Sequence, residues 1–66
     1  MRDSVEEYLK SYGRSFREKR LAAKMTQLGV ARRLNISQAI ISHIETGRML
    51  PPLDIEEALT KIYEGG

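Results

Sequence analysis

Nine lysines and arginines crowd the middle of this 66-residue chain: Lys10, Arg14, Arg17, Lys19, Arg20, Lys24, Arg32, Arg33 and Arg48. Between residues 8 and 48 only Glu18 and Glu45 oppose them, a net charge of +7, while residues 1–7 carry −2 and residues 49–66 carry −3. A basic middle between acidic ends suits a polyanion partner. Charge alone leaves open the plainer reading, a solvated surface made of good helix formers. The stretch "QLGVARRLNISQAIISHIET" (27–46) adds several small polar side chains and the one histidine, His43, all turned away from the apolar face of a short helix.

Other chemistry has few parts to work with. The chain has no cysteine, which removes disulfides and thiolate metal sites together. One histidine makes a zinc site of protein ligands alone unexpected. With no glycine-rich phosphate loop and no carboxylate pair placed in a plausible pocket, no enzyme activity and no small-molecule cofactor are expected. A chain of this length forms one domain and buries only about 60% of its unfolded surface. No segment approaches the roughly 20 apolar residues of a membrane span, and the start lacks a signal-peptide core. The expectation is a cytoplasmic, nucleoid-associated protein that does not engage a membrane.

The elements that must carry these residues are all helical. Ser4 offers a helix cap with Glu7 in capping-box position. Val5, Leu9, Tyr12, Phe16 and Ala23 then share one helix face. Gly13 lies inside that run, where glycine costs about 1 kcal/mol relative to alanine, so a break or kink is expected there. Thr26 offers the next N-cap, and Val30, Ala31 and Leu34 give the second helix its apolar side. Asn35 tolerates the positive φ of a tight corner. Ser37 is a further N-cap, and Ile41 and Ile44 line the buried side of a third helix from about Gln38 to Glu45. "TGRMLPP" breaks the pattern, and Ile55, Ala58, Leu59 and Ile62 form a last amphipathic helix ending before Gly65. Helices of eight residues are not stable alone in water, so the two short ones must pack on each other and on their longer neighbours.

The ordered set of Phe16 and Arg20, "TQ" at 26–27, "VA" at 30–31, "LNISQ" at 34–38 and "IISHIETG" at 40–47 resembles the helix-turn-helix domains of phage repressors and Cro proteins, the Xre family. The resemblance runs from about Gly13 to Ile62. It implies an all-α, lambda-repressor-like domain of four to five helices, with an N-terminal helical extension over 1–12, the domain over 13–64 and the helix-turn-helix unit over 27–46. It departs from the family wording at Asn35, a usual glycine, and at Leu28, Gly29 and Ile40. Leu28 and Ile40 are expected to be exposed, and no fifth helix follows.

In such domains the second helix of the motif lies in the major groove, where each base pair presents its own pattern of donors, acceptors and methyls. The resemblance therefore puts Gln38, Ala39, Ser42 and His43 at base edges, with Gln38 suited to adenine and Ala39 to a thymine methyl. Ser37 shares that outward surface. Thr26, Gln27, Ser37 and Arg48, joined by Arg32, Arg33 and Arg17, are expected on the DNA backbone, the helix N-termini offering free amides to phosphate. Arg20 matches a position that braces the fold through an acidic partner, here Glu45. The expected function is sequence-specific binding of double-stranded DNA as a repressor or regulator of phage, plasmid or mobile-element type, by a homodimer on an inverted-repeat operator. The alternative is an antitoxin or antagonist that grips a partner protein through an apolar helix face, either that of the last helix (Ile55, Leu59, Ile62 and Tyr63) or that of the N-terminal one (Val5, Tyr8, Leu9 and Tyr12).

Overall fold

A computed structural model describes the backbone of residues 2–65 and the side chains of residues 4–65. Four helices follow one another: α1 (Arg2–Ala22), α2 (Gln27–Leu34), α3 (Gln38–Glu45) and α4 (Leu53–Gly65). No strand occurs among the described residues. The domain is therefore all-α, with four helices rather than five.

The core is small and drawn from every helix. Phe16, Val30, Ala31, Ile41, Ile44 and Leu59 are buried, with Tyr12, Met25, Leu34, Ile36, Ile55 and Tyr63 packed around them. Ala31 is buried where α2 and α3 cross; a larger side chain there would push the two helices apart. The corner between them is set by Asn35, whose φ of 58° and ψ of 44° are left-handed. The Ile36 amide then donates back to the Ala31 carbonyl at 2.9 Å, closing the end of α2.

Four expectations need correction. The helix expected to break at Gly13 is continuous from Arg2 to Ala22. Gly13 is needed for close approach: a β-carbon there would overlap the Ile44 carbonyl oxygen and sit 2.9 Å from that of Glu45. One turn earlier, a β-carbon on Gly47 would come 2.9 Å from the Lys10 backbone, so the end of α3 nests against α1 between Lys10 and Gly13. Ser4 does not cap α1, because the helix has already begun at Arg2. Ile40 is not exposed; it is half-buried against the core, because it stands next to Ile41 and four residues before Ile44, at the edge of the buried stripe. Leu28, by contrast, is exposed. The last helix begins at Leu53, directly after Pro52, and includes Gly65, before which it is expected to end.

The first turns of α1 run beyond the core. Residues 4–8 are exposed, with Val5 and Tyr8 among the most open large apolar side chains. An aromatic row leads inward from them. Tyr8 stacks on Tyr12 at 5.9 Å between centroids, Tyr12 meets Phe16 edge-on at 5.2 Å, and Phe16 lies 6.4 Å from Tyr63.

Candidate nucleic-acid interface

Two short helices begin side by side, and their starts are built differently. Thr26 takes an extended conformation, and its Oγ1 accepts the Gly29 amide at 2.9 Å, satisfying one of the free donors at the start of α2. Ser37 stands at the same point before α3, but its side chain makes no capping hydrogen bond. Ser37 and the first two residues of α3, Gln38 and Ala39, are exposed together.

Beneath these helix starts lies a buried ion pair. Arg20 Nε donates to Glu45 Oε2 at 2.7 Å and Arg20 Nη2 to Glu45 Oε1 at 3.1 Å, a two-pronged contact between residues that are both buried. The remaining prong, Nη1, donates to the Met25 carbonyl at 2.8 Å, which ties the ion pair to the chain entering α2. The Glu45 hydrogen bond holds the guanidinium above its ordinary pKa despite burial. Breaking such a pair from one side leaves an unpaired charge inside the protein, a loss of about 3–5 kcal/mol.

The same carboxylate reaches the surface through two amides. Gln27 Nε2 donates to Glu45 Oε1 at 3.0 Å, and Gln38 Nε2 donates to Gln27 Oε1 at 3.3 Å. Arg20, Glu45, Gln27 and Gln38 therefore form one continuous polar chain from the core to the exposed first residue of α3. No buried side-chain polar atom among the described residues lacks a partner. Sequence reading paired Arg20 with Glu45 but missed the link to Gln27 and Gln38. The available signal was a glutamine at the first position of each short helix, on helices that a tight corner holds together.

The other expected site residues are distributed around this chain. Ala39 and His43 are exposed on α3, and Ser42 is half-buried. The Ser42 carbonyl accepts from Thr46 Oγ1 at 2.8 Å, which closes the end of α3. Arg17 is exposed on α1 and lines a shallow groove with Lys10, Arg14, Glu18, Glu45 and Thr46. Arg32 and Arg33 are exposed in the last turn of α2, and Arg48 is exposed just after α3. Their guanidinium groups make no hydrogen bond to the polar chain among the described residues. Gln27 is half-buried by its bond to Glu45, so one of its amide hydrogens is already committed.

Two phenols flank the core. Burial, reinforced by the nearby Glu56 carboxylate, pushes Tyr12 up to about 12. Burial and the Glu45 charge likewise push Tyr63 up to about 12, opposed by Arg20. No group of three or more acidic, histidine or cysteine side chains suited to a metal occurs among the described residues. No described helix is long and apolar enough to cross a membrane.

A family model described as a helix-turn-helix domain matches residues 11–65. No curated protein and no solved structure matches the chain.

Proposed function

Because the chain belongs to the helix-turn-helix domain family, we propose that it is a sequence-specific double-stranded DNA-binding regulator that presents α3 to the major groove. The observation that carries this reading is the exposed Gln38 at the first position of α3, held by Gln27 instead of left to rotate freely. A glutamine amide offers a donor and an acceptor side by side, the complement of the adenine edge. Ala39, Ser42 and His43 follow on the same helix as the remaining base-reading positions. Thr26, Gln27, Ser37, Arg48, Arg32, Arg33 and Arg17 are the proposed phosphate contacts.

The reading extends to a cytoplasmic, nucleoid-associated repressor of phage, plasmid or mobile-element type that works as a homodimer on an inverted repeat. One α3 meets only a few base pairs, and two copies on half-sites about one helical turn apart roughly double the free energy of recognition. The opposing charges of the chain support this reading, since the basic middle suits DNA and the acidic ends do not.

The test is duplex binding measured as a function of salt. Four arginines per copy, each neutralising one phosphate, give a slope of log affinity against log salt of about −4 for one copy and about −7 for a bound pair. A slope near zero would refute phosphate binding. A slope near −4 with one copy per duplex would refute the homodimer.

A further inference from the structure

The other described elements leave an apolar face on the first turns of α1 largely open. Val5, Tyr8, Leu9 and Tyr12 share one side of that helix. Val5 and Tyr8 are 60% and 61% exposed, while Leu9 and Tyr12 are half-buried. The patch continues onto α4: Glu56 lies near Tyr12, and Leu53, one turn earlier, is 69% exposed.

The spacing of these residues suits a second copy of the chain. Positions 5, 8, 9 and 12 are separated by three, one and three, the same from either end. A two-fold contact joins identical surfaces, so that if residue i meets j, then j meets i. Two α1 helices packed antiparallel about the midpoint between Tyr8 and Leu9 therefore set apolar against apolar throughout. Val5 faces the partner's Tyr12, Tyr8 the partner's Tyr8, and Leu9 the partner's Leu9. An unrelated protein would have no need of that symmetry.

Charge is kept off this face. Glu7, Lys10 and Arg14 line a shallow groove with Ser11 on the other side of α1, and Ser4, Ser11 and Ser15 form an uncharged border to the stripe. Tyr8 is already ordered: its ring lies parallel to that of Tyr12 at 5.9 Å, which lowers the entropy lost on association. The apolar patch is on the order of 400 Å², as large as the largest patch on an ordinary monomer. With its serine border it falls short of the ~800 Å² per partner of a standard complex, and so fits a weak, reversible dimer.

We infer that residues 4–12 of α1, flanked by Leu53, form the surface through which two copies of this chain associate. The inference rests on the homodimer reading and names its surface. The contact lies beside the end of α3, where Gly47 approaches the Lys10 backbone, and leaves Gln38 and Ala39 exposed at the start of α3.

The experiment is sedimentation equilibrium from micromolar to millimolar concentration. The wild type should pass from one copy to two, and Tyr8→Glu, with an unchanged melting curve, should associate ~10-fold or more weakly. The chain has no cysteine, so one introduced thiol reports the contact directly. Under mild oxidation Tyr8→Cys should form a covalent dimer at concentrations where Glu7→Cys, on the opposite side of α1, does not. A folded Tyr8→Glu that dimerises as tightly as the wild type would overturn the inference and leave the homodimer with another surface. A wild type that stays monomeric to millimolar concentration would overturn it too; if that protein also binds duplex as a single copy, the homodimer reading falls with it. A Tyr8-dependent dimer that binds no duplex would uphold the contact and refute DNA binding.

Discussion

Gly13 of α1 lies directly against the backbone carbonyls of Ile44 and Glu45 at the end of α3, with no space for a side chain between the helices. This contact sets the height of α3 above α1, and Glu45 at that contact is also the residue that grips Arg20. The prediction that follows has an unambiguous sign. In an open helix, glycine to alanine stabilises by about 1 kcal/mol. Here Gly13→Ala should destabilise by about 2 kcal/mol through overpacking, lowering the thermal midpoint by about 10 °C. A raised midpoint would mean that Gly13 is only a flexible link.

The buried ion pair makes a second prediction. Arg20→Met or Glu45→Leu alone strands one charge and should cost about 3–5 kcal/mol. That is comparable to the whole stability of a domain this small, about 3–5 kcal/mol, so each single variant should lose most of its cooperative melting. The double variant removes both charges and should melt at a higher temperature than either single one. A double variant no more stable than the singles would show that the pair does not act as a unit.

Alkaline titration gives a third prediction. Tyr12 and Tyr63 are raised from 10 to about 12, chiefly by burial. With the folded value above the unfolded one, the folded state holds its protons longer, and the stabilisation is complete below pH ~10. It is lost as pH rises from ~10 toward ~12, so the melting temperature should fall across that interval. Phenolate absorbance should show ionisation near 12, and Tyr12→Phe and Tyr63→Phe should each remove part of it. Two phenols ionising at the ordinary value would contradict the packing around Phe16.

The two short helices were readable because their limits are local chemistry. Thr26 caps α2 and Asn35 turns left-handed, each within a few residues of the feature it controls, whereas Ser37 stands at the start of α3 without a side-chain cap. What escaped sequence reading depends on residues far apart in the chain. Gly13 reads as a helix breaker until the carbonyls of Ile44 and Glu45, some thirty positions away, are brought against it. Ile40 reads as exposed because its place at the edge of the core follows from how α3 crosses its neighbours. The link from Glu45 through Gln27 to Gln38 joins residues 18 and 11 positions apart, and helical periodicity carries no sign of it. The helices that carry Gln27, Gln38 and Glu45 were legible, but the hydrogen bonds that join these side chains were not.

The most direct test of α3 as the reading element is selection from random duplex DNA at moderate salt with the wild-type chain, Gln38→Ala and His43→Ala. The expected result is a palindromic sequence recovered by the wild type, with each variant losing preference at one base-pair position in each half-site and keeping the others. Recovery of no preferred sequence, or identical sequences from all three proteins, would contradict it.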